Sequence, residues 1–68
     1  MPGFYAYEGD APLGQERLGT GPHRMLRTDL TTVSGARRAA RERFGDKPFR
    51  LYRFTNLYDH DTFVEIKR

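Results

Sequence analysis

This sequence predicts a single α+β domain spanning residues 1–68, an antiparallel sheet of three or four strands with one helix across one face, in the order β-β-α-β-β. Three observations lead there. Residues 31–45 carry an unambiguous helical period, three other stretches are rich in aromatic or β-branched residues, and a fourth alternates between two sides. At 68 residues the chain is one domain, and a helix laid on a sheet is the simplest arrangement that buries both kinds of apolar stripe. A chain this short buries only about 60% of its unfolded surface, so the core is thin. With no cysteine, neither a disulfide nor a thiolate zinc site reinforces it. Packing of the nine aromatic residues, or self-association, must do so.

The first strand is read over residues 3–8, where Phe4, Tyr5 and Tyr7 favour a pleated surface and Gly9-Asp10-Ala11-Pro12 stops it. Phe4 and Ala6 share one face. Residues 12–22 show neither period and form a loop pinned by Leu13 and Leu18. A second strand over residues 24–30 sets Leu26, Thr28 and Leu30 on one side and Met25, Arg27 and Asp29 on the other. The helix then starts at an N-cap, Thr32 or Ser34. It stops at Gly45, where a left-handed residue is wanted, with Pro48 just beyond. Val33, Ala36, Ala40 and Phe44 fall on its apolar face, and the two central alanines allow close approach to a sheet. Residues 49–55 and 62–67 make a final hairpin through Asn56-Leu57-Tyr58-Asp59-His60-Asp61.

One helix cannot roof both faces of this sheet. Phe49 and Leu51 point one way, Tyr52 and Phe54 the other, so the second set needs a cover. The loop from Ala11 to Pro22, a second copy of the chain, or a binding partner would each serve, and an aromatic surface left open on a monomer marks an interaction site.

The formal net charge is +3, unevenly placed. Residues 1–22 carry Glu8, Asp10 and Glu16 against Arg17, whereas residues 24–53 carry nine arginines or lysines against Asp29, Glu42 and Asp46, a net of +6. Such asymmetry suits an anionic partner, nucleic acid or an acidic protein surface, and equally a solubilising face. The excess of arginine over lysine, with frequent Gly, Ala and Asp, is what a GC-rich genome encodes. No apolar run approaches the roughly 20 residues of a membrane span, and Met1-Pro2-Gly3-Phe4-Tyr5 lacks the layout of a secretory signal. A cytoplasmic protein with no membrane contact is expected.

Arg50, Tyr52 and Arg53 alternate guanidinium and aromatic groups in Phe49-Arg50-Leu51-Tyr52-Arg53-Phe54, beside Arg37, Arg38 and Arg41 on the helix. Guanidinium groups meet phosphate bidentately and aromatic faces accept stacked bases, yet any one-sided strand shows the same alternation. Arg37, Arg38 and Arg41 share one flank, Arg43 lies on the other side of the apolar face, and Arg41 and Arg43 also suit the helix C-terminal dipole. Asp59-His60-Asp61 superficially resembles a metal cluster but lacks ligand spacing, and the side chains of Asn56, Asp59 and Asp61 are expected to bond to the turn backbone. Only one serine, no cysteine and two distant histidines leave a poor catalytic inventory, and Gly19-Thr20-Gly21-Pro22 lacks the lysine and helix of a phosphate loop. No enzyme activity, metal or cofactor is expected.

The element order, the size, the arginine-rich small-residue helix and the Phe44-Gly45 exit into an aromatic strand resemble small proteins of bacteriophages and mobile elements, among them compact helix-on-sheet anti-CRISPR and host-takeover proteins. The resemblance covers the layout from Leu30 to Ile66 without a specific motif. It implies a non-catalytic protein that binds a host factor and blocks it. On that reading the partner is a host protein, and the anchors are Tyr5, Tyr7, Arg37, Arg38, Arg41, Arg50, Tyr52, Arg53 and Tyr58, since arginine and tyrosine commonly dominate interface energies. Direct nucleic-acid binding through residues 24–53 and an obligate structural role in a larger assembly or homodimer are the competing readings.

Overall fold

The computed structural model describes residues 1–15 and 23–67. Its elements are β1 (Gly3–Glu8), β2 (Arg24–Arg27), α1 (Val33–Phe44), β3 (Phe49–Phe54) and β4 (Val64–Glu65), with a 3-10 turn at His60–Thr62. The strands form one antiparallel sheet in the order β2-β1-β3-β4. β2 and β3 both run antiparallel to β1, so they are parallel to each other with β1 between them, and α1 is the connection that bridges them over one face.

The helix forms where its signals place it. The Thr32 hydroxyl oxygen accepts a hydrogen bond from the Gly35 N–H at 3.0 Å, which selects Thr32 over Ser34 as N-cap. At the other end Gly45 has φ 64°, a conformation that disfavours any residue with a Cβ, and its N–H donates to the Arg41 carbonyl at 2.8 Å. Between the caps, Ala36, Ala40 and Phe44 are buried against Phe4, Ala6, Met25 and Leu51 of the sheet, with Leu30, Val33, Phe49 and Ile66 around them. Ala6, Ala36 and Ala40 are fully excluded from solvent. Their small side chains let the helix lie close to the sheet, and the larger groups around them fill the margins.

Two strands are shorter than their sequence pattern implies. β2 ends at Arg27, not at residue 30, and Leu30 reaches the core from the connection to α1. Of the two adjacent apolar residues in β2, Met25 faces the helix and Leu26 is 49% exposed. The last strand is only Val64–Glu65, because Thr62 belongs to the 3-10 turn and Phe63 caps it.

The chain itself covers the rings of the far face, with Phe63 and the Ala11 end of the loop in place of a second copy or a partner. Tyr7 is 1% exposed, Tyr52 5% and Phe54 0%. Phe63, just ahead of β4, stacks on Phe54 with ring centroids 4.9 Å apart and meets Tyr5 edge-on at 6.2 Å. Gly3 makes room for this layer, since a Cβ there would lie 2.8 Å from the Phe54 ring and 2.5 Å from the Arg27 carbonyl oxygen. Toward the other end, Tyr7 and Tyr52 stack at 5.8 Å, and the Tyr7 hydroxyl donates to the Ala11 carbonyl at 2.6 Å. Leu13, one of the two expected loop anchors, is half-buried, and Leu18 lies outside the described residues.

Candidate functional site

The sheet register sets the far-face polar groups in a row, with Tyr7 between Arg24 of β2 and Arg50 of β3. The Tyr7 proton is directed to Ala11, so in the 3.1 Å contact between the two tyrosine hydroxyls Tyr52 is the donor. The Tyr52 oxygen lies beside the Arg50 guanidinium, and that hydrogen bond is the foremost cause raising the Arg50 pKa. Arg50 also reaches Glu65 at 3.4 Å. The result is a directed pair of hydrogen bonds from the Tyr52 phenol through the Tyr7 phenol to a loop carbonyl. Tyr7, Tyr52 and Arg50 were expected at a partner interface. Here the first two are interior and the third is engaged with its neighbours on the sheet.

Elsewhere, some of the charged side chains are joined in ion pairs. Arg27 grips both Asp29 oxygens at 2.8 Å, and this guanidinium, ahead of the Asp29 backbone N–H, lowers the Asp29 pKa to about 2. Glu8 receives His23 at 2.8 Å and Lys47 at 3.6 Å, and the His23 hydrogen bond is the main cause holding its carboxyl below the usual value. The flank of α1 differs in gathering three arginines together. Arg37 and Arg41 lie one turn apart, about 40° around the axis, with Arg38 next to them. Among the described residues, none of the three has a carboxylate within ion-pair distance. Arg37 instead donates to the Lys67 carbonyl at 3.4 Å, and the Arg41 guanidinium sits 6.0 Å over the Phe49 ring. Glu42 borders the shallow depression that all three arginines line.

Beside this flank is a groove of about 530 Å³ between the C-terminal half of α1, the turn at residues 45–48 and the β3–β4 edge. Its floor is Pro48, Phe49, Leu51 and Ile66, and its cations are Arg37, Arg41, Lys47 and Arg50, against the carboxylates Asp46 and Glu65. The groove exists because β4 stops after two residues, while the helix overhangs the longer β3. Of the expected contact residues, the structure gathers Arg37, Arg41 and Arg50 here, with Arg38 adjoining. Tyr5 is half-buried in the ring layer of the far face. Arg53 is exposed on β3, three residues along the strand from Arg50. Tyr58 is 91% exposed on the β3–β4 loop.

That loop is rigid by construction. Asn56 Oδ1 accepts from the Tyr58 N–H and Asp59 Oδ1 from the Asp61 N–H, each at 3.0 Å, and the Thr62 hydroxyl, with one proton to donate, lies within hydrogen-bond distance of both the Asn56 and Asp59 carbonyls. The turn chemistry expected of Asn56 and Asp59 is therefore present. Among the described residues no group of three or more His, Asp or Glu is placed to hold a metal ion. No described helix is long and apolar enough to cross a membrane.

Sequence reasoning missed Lys47, Phe49 and Ile66 as parts of one recess. Gly45-Asp46-Lys47-Pro48 signals a helix stop, but nothing local indicates that Ile66 returns beside it. No protein-family model matches the chain, no curated protein is similar to it in sequence, and no solved structure matches its fold.

Proposed function

We propose that the protein is a non-catalytic binding module that engages an acidic surface of another protein through the arginine flank of α1. The observation that carries this reading is the gathering of three arginines on one helix flank. Arg37, Arg38 and Arg41 lie together there beside a concave recess, and among the described residues none has a carboxylate within ion-pair distance. Neighbouring like charges repel mildly, and an anionic partner offsets them. In the form implied by the resemblance to phage and mobile-element proteins, the partner is a host protein whose activity the binding modulates. Burial of Tyr52 and Phe54 takes away the β3 rings that a nucleic-acid role would stack on bases, and burial of Tyr7 and Tyr52 likewise removes two of the expected protein contacts, so both readings come down to the arginines.

The test is affinity capture from host lysate with the wild-type chain and with a triple variant, Arg37→Glu, Arg38→Glu and Arg41→Glu, both checked for folding by circular dichroism. One stoichiometric protein partner retained by the wild type and lost by the variant is expected. No partner, or one that the variant keeps, counts against the reading. Tight, steeply salt-dependent binding of DNA or RNA in a parallel titration at two ionic strengths replaces it with nucleic-acid recognition.

A further inference from the structure

We infer that the groove between α1 and the β3–β4 edge is a docking site for an acidic peptide segment of another protein, one apolar side chain seated on the floor and carboxylates meeting the rim. This rests on the reading above and specifies the partner's chemistry. The recess, at about 530 Å³, falls within the range of specific ligand sites, roughly 300–1,000 Å³, and has room for a few side chains. Phe49 and Ile66 are half-buried with Leu51 beneath, so the floor offers an apolar seat that water wets poorly. Four cations against two carboxylates line it. Because Arg50 is matched to Glu65 and Lys47 to Glu8, Arg37 and Arg41 are the donors left for a ligand.

The shape of the site also bears on what enters. The Ile66 N–H donates to the Leu51 carbonyl at 2.8 Å, and the next carbonyl, of Lys67, turns toward Arg37. The chain thus closes one end of the recess and ties Arg37 in place, reducing the ordering cost of binding. Glu65 and Asp46 interrupt the positive lining, so a continuous phosphate backbone meets repulsion that a peptide avoids by spacing its carboxylates.

The test is fluorescence anisotropy with a fluorescein-labelled peptide in which one phenylalanine is flanked on both sides by glutamates. Tighter binding than its glutamine and alanine counterparts is expected, with Arg37→Glu and Arg41→Glu each weakening it about tenfold or more, as for loss of a charged hydrogen bond. Arg38→Glu, on the flank outside the groove, is expected to change it by less than about threefold. Undetectable binding, or equal binding of all three peptides, overturns the inference. So does displacement of the peptide by an equimolar single-stranded oligonucleotide, which points to nucleic acid, or a salt-sensitive oligomer by light scattering that excludes the peptide, which points to a second copy. If a captured protein partner depends on Arg38 as strongly as on Arg37 and Arg41, the groove assignment fails while the arginine-flank reading stands.

Discussion

Removing the Tyr7 hydroxyl tests the closure of the far face. In Tyr7→Phe the ring stays, and the donation to Ala11 at 2.6 Å and the contact with Tyr52 at 3.1 Å are lost together. Each such bond contributes about 1 kcal/mol net, and the buried partners left unmatched push the cost upward, so a loss of about 2 kcal/mol is expected. For a domain of this length that corresponds to a fall in Tm of roughly 8–16 °C. The assay is urea unfolding followed by circular dichroism and by tyrosine fluorescence, which is unobscured because the chain has no tryptophan. Tyr52→Phe and the double variant complete a cycle, with a coupling of about 1 kcal/mol expected between hydroxyls in direct contact. Tyr58→Phe, at a 91% exposed position, serves as control and is expected to stay within about 0.5 kcal/mol of wild type. A Tyr7→Phe loss no larger than that of the control, or zero coupling, means that both hydroxyls reach water and the rings are not sealed.

Gly3→Ala places a Cβ 2.5 Å from the Arg27 carbonyl oxygen; the backbone must shift, and a loss of about 1–3 kcal/mol is expected by chemical denaturation. Thr32→Ala removes the oxygen that caps the Gly35 N–H, and a loss of about 1 kcal/mol is expected in the same measurement. The depressed Asp29 carboxyl predicts a pH effect. Its pKa is lower folded, about 2, than the ordinary 3.8, so its contribution is present above that ordinary value and disappears as pH falls toward 2. Asp29→Asn is therefore expected to flatten the stability profile between about pH 4 and pH 2, leaving the part due to Glu8, whose carboxyl is also lowered. A slope identical to wild type in that window refutes the assignment.

Local chemistry was enough to read α1. A hydroxyl cap, a glycine after the last turn and alanines one turn apart each act within a few residues, and Thr32, Gly45, Ala36 and Ala40 occupy those roles in the structure. β1 and β3 were legible for the same reason, since alternation tells which residues share a face. Alternation does not tell which face turns inward, so Met25 and Leu26, adjacent and both apolar, were indistinguishable until the helix covered one of them. The candidate site divides along the same line. The shared flank of Arg37, Arg38 and Arg41 follows from helical geometry alone, whereas their lack of an ion pair among the described residues depends on where Asp29, Glu65 and Glu8 come to rest.

What the sequence determined by itself is the set of elements, their caps and the concentration of cations on one helix, because these depend on neighbours a few bonds or one turn away. What the tertiary structure alone decided is the strand order, the early end of β4, the groove that this leaves beneath α1, and the closing of the far face by Phe63 and the Tyr7–Ala11 bond. Those features join residues as far apart as Tyr7 and Tyr52. They are selected by which assembled arrangement buries most apolar surface while satisfying its polar groups, a property of the whole chain.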